Sequence, residues 1–162
     1  MSVNNAMTKD VISIKSTQKV RDAWLVMMEA DISGAPVVDE TGALVGVLSN
    51  TDIFRAILDR VGKARLLREA AAETSDTDAA EKEEVREIIL AIRAVIDSAV
   101  ASVLPREQKI LSLSPEDSLD RAIKMMAEHN VNRLPVVKGS QVVGIVTRQD
   151  IIMIVAGKVR QA

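Results

Sequence analysis

Two short polar motifs hold the side chains of this chain that are best placed for chemistry. Each has a hydroxyl residue followed three positions later by an aspartate: Ser49 with Asp52, and Thr147 with Asp150. An apolar run precedes each hydroxyl, and a helix is predicted to begin within three residues. The hydroxyl can cap that helix, and free N–H groups at a helix start favour anions. A carboxylate there can also accept hydrogen bonds from the adjacent hydroxyls of a ribose.

The same motif also has a purely structural interpretation. A Ser or Thr at the N-cap with an acidic residue at N3 is a common way to begin a helix. A single instance of the motif is best explained as a cap, whereas two instances in matching sequence contexts favour at least one ligand site. Gly46 and Gly144 precede the two hydroxyls. We expect each to remove a Cβ where a ligand ring comes close.

The motifs belong to a repeat that fixes the architecture. Residues 33–53 correspond to residues 132–151, and one turn residue is missing from the second copy. Each copy is predicted to fold as β-α-β-β-α, with helix N-caps at Thr17 and Asp117. The strands are expected at 11–14, 35–38, 44–48, 110–113, 134–137 and 142–146, and the second helices at Asp52 and Asp150.

An insert at 61–102 separates repeat 1 (1–60) from repeat 2 (103–162). Residues 70–80 form either a loop or a continuation of the preceding helix, and Asp78 with Glu81 resembles a capping box. A helix follows whose apolar residues alternate at spacings of four and three, which is typical of a helix-pairing seam. That seam either pairs with a second copy of the chain or packs on its own repeats. It consists of Val85, Ile89, Ile92, Ile96, Ala99 and Val103.

Composition excludes several classes of function. The 162 residues contain no cysteine and a single histidine, His129, which is expected to interact with a helix C-terminus. Without a Gly-rich phosphate loop or a catalytic set, we expect neither an enzyme nor a metal site. A net charge of −2 gives no reason to expect nucleic acid. No apolar run approaches the ~20 residues of a membrane span, and the start lacks signal-peptide features. We expect a cytoplasmic protein.

The repeats resemble the CBS domain family, the paired regulatory repeats first described in cystathionine β-synthase. The resemblance covers residues 6–58 and 103–157, and its opening motif survives at Thr8 but lacks the Thr in the second copy. It implies an α+β fold in which two βαββα repeats pack sheet to sheet with pseudo-twofold symmetry, plus the helical insert. The segments that carry it are Pro36-Val37-Val38, Gly46 to Asp52, Pro135-Val136-Val137 and Gly144 to Asp150.

The resemblance also implies a ligand. An adenosine-containing compound (AMP, ADP, ATP, S-adenosylmethionine or NAD) would lie in the cleft between the repeats as a regulatory ligand, with no obligate cofactor. Arg133 and Arg148 are expected nearest a phosphate, although a solvated surface or an ion pair is the alternative for each. The predicted ligand-binding residues are Thr8, Pro36, Ser49, Asp52, Arg133, Pro135, Thr147, Arg148 and Asp150.

Two hypotheses follow. In the first, a stand-alone module senses the ligand and passes a change of shape to an unidentified effector protein. In the second, the repeats form a structural or protein-interaction module without a ligand. The resemblance further implies a homodimer in which four repeats form a disc, to which the insert helix contributes.

Overall fold

The computed structural model describes residues 1–71, 77–105 and 109–157, except the side chains at 68, 69, 71 and 77–80. Within those residues the fold is α+β, as predicted, with five α-helices and two small sheets. The sheets have the strand orders β1-β2-β3 and β4-β5. The elements are β1 Ile14–Lys15, α1 Val20–Glu29, β2 Gly34–Val38, β3 Leu44–Ser49, α2 Asn50–Ala71, α3 Thr77–Ile96, α4 Leu119–Glu128, β4 Arg133–Lys138, β5 Gln141–Thr147 and α5 Arg148–Val155.

The first strand of each copy is shorter than predicted. In copy one only the end of the expected strand pairs, as β1. In copy two Leu113 alone pairs with β4, accepting from Val137 N at 2.8 Å and donating to Pro135 O at 2.9 Å. The chain then turns at once, because Ser114 N donates to the Asp117 carboxylate at 2.8 Å.

Two predicted N-caps are wrong by one or two residues. The cap of α1 is Lys19 rather than Thr17, and it has no side-chain hydrogen bond. A backbone group replaces the side chain, since Val20 N donates to Ser98 O at 2.9 Å. The cap of α4 is Ser118, whose Oγ accepts from Arg121 N at 3.2 Å. The helices α2 and α5 also begin two residues earlier than predicted.

The described residues form two compact units that do not follow the order of the repeats. The first consists of the described parts of Met1–Ile14, Pro36–Gly46 and Gln108–Ala162, and the second of those of Lys15–Ala35 and Val47–Glu107. The second-copy motif therefore shares a unit with the N-terminal segment, and the first-copy motif shares one with the insert. The core of the first unit consists of Val3, Leu113, Ala122, Met126, Leu134, Val136 and Val146.

The insert is helical on both sides of residues 72–76, which lie outside the described part. α2 continues to Ala71, and α3 packs on α1 and α2. Its buried residues are Ala91 and Val95, whereas the seam residues Val85, Ile89 and Ile92 are exposed. The seam predicted as far as Val103 is helical only to Ile96. The Asp78 half of the predicted capping box lies among the side chains that are not described.

None of the helices in the described ranges combines the length and the apolar character that a bilayer crossing requires.

Candidate functional site

The first-copy motif forms a reciprocal cap at the start of α2. Asp52 Oδ2 accepts hydrogen bonds from Ser49 N at 2.9 Å and from Ser49 Oγ at 2.5 Å. Asp52 N donates to Ser49 Oγ at 3.3 Å in return. The structural interpretation of the motif therefore holds, because each residue satisfies a backbone donor of the other.

The second-copy motif has nearly the same geometry at the start of α5. Asp150 Oδ2 accepts from Thr147 N at 2.8 Å and from Thr147 Oγ1 at 2.7 Å. Asp150 N donates to Thr147 Oγ1 at 3.2 Å. Both aspartates are half-buried, and both use the same oxygen in the cap. The cap thus fixes each carboxylate in position and uses only one of its two oxygens.

The second oxygen of each carboxylate differs between the copies. Asp52 Oδ1 lies 3.4 Å from Nη1 of Arg55, in a long ion pair. Among the described residues Asp150 Oδ1 has no hydrogen-bond or ion-pair partner. Each helix start therefore presents a fixed carboxylate oxygen that can accept hydroxyl donors.

Two of the predicted ligand-binding residues lie beside Thr147. Thr8 forms an isolated bridge with Ile145 of β5, through hydrogen bonds of 2.9 and 3.0 Å. Arg133, the first residue of β4, pairs directly across from Thr147 in the antiparallel register. The fold of the first unit thus brings Thr8, Arg133, Thr147 and Asp150 to one end of the β4-β5 hairpin.

The predicted prolines lie in strands and are buried. Pro36 is in β2 and has a fully buried side chain. Pro135 is in β4, where its carbonyl accepts from Leu113 N at 2.9 Å. Neither ring is exposed, so their observed role is packing.

The Arg148 guanidinium donates hydrogen bonds to oxygen atoms at the C-terminal end of α4. Its Nε donates to Val131 O at 3.2 Å, and its Nη2 lies 3.4 Å from both Met126 O and Asn130 Oδ1. Carbonyls at a helix C-terminus are natural partners for a cation. Arg148 must leave these partners to reach a phosphate. His129, as predicted, lies at this helix end, as the C-cap of α4.

The prediction that Gly144 leaves space for a ligand ring is wrong. A Cβ at this position would overlap Sδ of Met7 and lie 2.9 Å from its Cγ. The space is therefore filled by the Met7 side chain of the N-terminal segment rather than left open for a ligand. Gly144 allows that segment to pack closely on β5.

Sequence reasoning missed a cavity beside Asp52, inside the second unit. Its volume is about 620 Å³, within the range of small-molecule sites. Charged side chains of α2 line one wall: Asp52, Arg55, Asp59, Arg60 and Lys63. Ala94 and Val95 of α3, Ser98 just after the end of that helix, and residues 102–105 line the remainder. The spacing along α2 was visible in the sequence, but the position of α3 opposite it was not.

The sequence model of one protein family, described as CBS domain, matches residues 3–59 and 100–157. The chain belongs to the CBS domain family. The two matches cover both capped motifs, so the chain is a tandem CBS pair. The helical insert lies largely between the two matched regions.

Relatives of this CBS pair include proteins of unassigned role. One is the uncharacterized protein MJ1426 of Methanocaldococcus jannaschii, 27% identical over 94% of this chain and 89% of that protein. Another, MJ1232 of the same organism, is 30% identical over 98% of this chain, but the chain spans only 40% of its length. These similarities support the family and assign no activity.

Solved CBS structures share the fold along almost the whole chain. CBSX2, solved in complex with AMP, superposes with a TM-score of 0.67 at 21% identity over 96% of each chain. The CBS domain pair of protein MJ0100, solved with 5-methylthioadenosine and S-adenosyl-L-methionine, gives a TM-score of 0.65 at 22% identity over 98% of each chain. At these identities the likeness shows the fold.

Proposed function

We propose that this CBS pair is a regulatory module that binds an adenosine-containing ligand and signals to a partner protein by a change of shape. The observation that carries the proposal is the pair of capped aspartates. Each capping box uses Oδ2. Oδ1 can then accept the two hydroxyls of a ribose; at Asp150 it has no partner among the described residues, and at Asp52 it has only the long ion pair with Arg55. AMP, ADP, ATP, S-adenosylmethionine and NAD all contain that ribose.

The cap makes the carboxylates good receptors. Hydrogen bonds from Ser49 or Thr147 hold each aspartate before a ligand arrives, so little side-chain freedom is lost on binding. A hydrogen bond to a charged group contributes about 1.5–3 kcal/mol. Two hydroxyls on one fixed carboxylate therefore suffice to orient a nucleoside.

The second-copy site has the fuller set of predicted residues. Arg133 pairs across from Thr147, and Thr8 pairs with β5 two residues before it. We propose that Thr8 and Arg133 assist the ligand of Asp150, with Arg133 nearest a phosphate. Arg148 joins them only if it exchanges its carbonyl partners for the phosphate.

The similar structures support this ligand class. CBSX2 was solved with AMP, and the MJ0100 pair with two adenosyl compounds. The shared chemistry of those ligands is the adenosine itself, to which the aspartates are suited.

We propose further that the protein is a homodimer. At two pairs of corresponding positions the copies expose apolar side chains to nearly the same extent. Trp24 and Ile123 are 43% and 46% exposed, and Phe54 and Ile152 are 66% and 65% exposed. An apolar surface repeated in both copies is suited to a twofold contact between chains. The exposed seam of α3 can add to that contact.

Thermal-shift and calorimetric titrations with AMP, ADP, ATP, S-adenosylmethionine and NAD test the ligand. A ligand at 100 times its Kd stabilises a protein by about 2.7 kcal/mol, which raises the Tm visibly. At least one of the five should do so. The alternative is an interaction module without a ligand. It agrees with the observation that the capping box satisfies its backbone donors without any ligand. It would be supported if all five leave the Tm unchanged at millimolar concentration.

A further inference from the structure

The end of α4 in the second copy is a site that binds a guanidinium group. Arg148 Nε donates to Val131 O at 3.2 Å. Its Nη2 lies 3.4 Å from both Met126 O and Asn130 Oδ1. The last carbonyl groups of a helix have no partner within it, so a cation is stabilised there. The second copy therefore supplies its own cation to these three oxygen atoms.

The first copy has the same backbone conformation where α1 ends. Ile32 N donates to Met27 O at 2.9 Å, and the hydrogen bond at the corresponding positions after α4 is 3.1 Å long. Asp31 has a left-handed φ of 52°, and its counterpart Asn130 has one of 50°. The carbonyl groups that receive the guanidinium in the second copy therefore have direct equivalents in the first.

Asn50 is the first-copy counterpart of Arg148. Asn50 N donates to Ser33 O at 3.1 Å, and Arg148 N donates to the corresponding carbonyl, of Asn132, at 3.0 Å. The two backbones are held alike, and the side chains differ. The asparagine amide is shorter than the arginine side chain and has no charge, so the first copy has no guanidinium of its own at this position.

Oxygen atoms of the first copy lack donors at these positions. Asn50 Oδ1 is buried and has no hydrogen-bond partner. Within the described ranges Ile32 O accepts no hydrogen bond, and the Asp31 carboxylate has neither a hydrogen bond nor an ion pair. Asp31 also adds a negative charge where the second copy has the neutral Asn130. Because a buried acceptor without a donor is destabilising, a cationic donor is the group that complements this end of α1.

We propose that the end of α1 is a binding site for a guanidinium group that the first copy does not supply. Its acceptors are the oxygen atoms of Met27, Asp31, Ile32 and Asn50. A guanidinium has five N–H donors in one plane, which suits several acceptors better than the point charge of an ammonium. The group belongs either to a small molecule or to an arginine of a partner protein. None of these residues is among those proposed to hold the nucleoside, so loss of adenosine binding would leave this inference standing.

An NMR titration of the full chain with millimolar guanidinium chloride locates the site without any variant. Saturable shifts of the backbone amides should appear at 27–32 and at Asn50, and none at 126–131, where Arg148 already fills the equivalent site. Potassium chloride at the same concentrations is the salt control. The proposal is overturned if guanidinium causes no saturable shift at 27–32, or if potassium causes the same one.

Exchanging the two side chains should exchange the two sites. Asn50→Arg gives the first copy the side chain of the second, so the shifts at 27–32 should disappear. Thr51→Arg adds the same charge at the next, exposed position, and this matched control should keep them. Arg148→Asn should open the second site, so that guanidinium also shifts 126–131. Shifts at 27–32 that persist in Asn50→Arg, or none at 126–131 in a folded Arg148→Asn protein, would contradict the proposal.

Two further titrations test the role of charge. Urea has the planar shape of guanidinium without its charge, and it should bind about tenfold more weakly or worse. Asp31→Asn gives the first copy the neutral residue of the second, and it should weaken guanidinium binding about twofold to fivefold, as expected for an exposed ion pair. Equal affinity for urea and guanidinium, or unchanged guanidinium affinity in Asp31→Asn, would contradict a cation site.

L-Arginine and a blocked tripeptide with a central arginine distinguish the sources of the group. Tighter binding of the free amino acid would assign the site to a small molecule, and tighter binding of the tripeptide would assign it to a partner protein. Both results support the guanidinium site. In both cases Asn50→Arg should abolish the binding, and binding that survives this substitution would overturn the assignment to the end of α1.

Discussion

The two copies of the motif have the same cap and different surroundings. At the start of α2 and of α5 a hydroxyl and an aspartate bond to each other with distances that agree within about 0.2 Å. Beyond the cap, Asp52 is followed by charged residues that line a cavity with the insert, whereas Asp150 is followed by apolar residues. The cap is determined by four consecutive residues. The surroundings are determined by the next turns of the helix and by distant segments, so identical caps can serve different ligands.

The largest expected effect concerns the surfaces that the copies share. Phe54→Asp combined with Ile152→Asp should convert the proposed dimer to a monomer in sedimentation at tens of micromolar, because each would place a charge in the proposed apolar contact. Since both positions are equally exposed, the single variants should weaken the dimer to a similar degree. Leu66→Asp, on an exposed position of α2 beyond the repeat, is the control and should remain dimeric. A dimeric double variant would exclude this surface.

Gly144→Ala tests how the N-terminal segment joins the second copy. The added methyl overlaps Met7 Sδ, and overpacking of this kind costs about 1–3 kcal/mol in the free energy of unfolding. Denaturant titration should show that loss in the wild-type background and a smaller one in Met7→Ala. An equal loss in both backgrounds would show that Met7 is not the obstacle.

The caps themselves should contribute equally to stability. Ser49→Ala and Thr147→Ala each remove a side-chain acceptor, which costs about 1 kcal/mol. Ser118→Ala, at the cap of α4, is the matched control without an aspartate at N3 and should cost no more. Denaturant midpoints measure all three. A loss at one motif and none at the other would show that the two caps differ in solution.

The smallest expected effect concerns the pKa of Asp39, in the turn between β2 and β3. A hydrogen bond from Thr41 Oγ1 at 2.6 Å, with one from Ala43 N, lowers the pKa of Asp39 below its ordinary value of 3.8. A carboxyl whose pKa is depressed by folding stabilises the fold above its unfolded pKa, and this stabilisation is lost as pH falls through the folded value. An NMR titration should place the Asp39 midpoint below 3.8 in wild type and higher in Thr41→Val. The corresponding turn of copy two has no carboxylate, so an unshifted midpoint in both proteins would remove this difference.

Features encoded by neighbouring residues could be predicted from the sequence. The helices, the hairpins and the caps follow from short spacings, and the α+β class follows from the resemblance of the repeats to the CBS domain family. The cap of α1 could not be predicted, because a backbone carbonyl of distant Ser98 replaces the expected side chain. Likewise, Gly144 was assigned to a ligand because nothing in the sequence places Met7 against it.

The cavity beside Asp52 could not be predicted from the sequence for the same reason. Its charges lie at helical spacing on α2 and were readable in the sequence. The cavity exists only because Ala94 of α3 and Ser98 just after that helix lie opposite these charges, more than thirty residues away, and no local pattern fixes that approach. The sequence therefore indicated the capped carboxylates that we propose to hold ribose, and it missed the cations near Asp52.

Calorimetric titration of wild type, Asp52→Ala and Asp150→Ala with ATP tests the central claim most directly. Each variant should lose binding at its own site by tenfold or more, since a charge-assisted hydrogen bond contributes about 1.5–3 kcal/mol, and should keep the other site. Thermal unfolding of each variant confirms that the loss of one cap leaves the fold intact. Unchanged affinity and stoichiometry in both variants would contradict the claim that the capped aspartates hold the ligand.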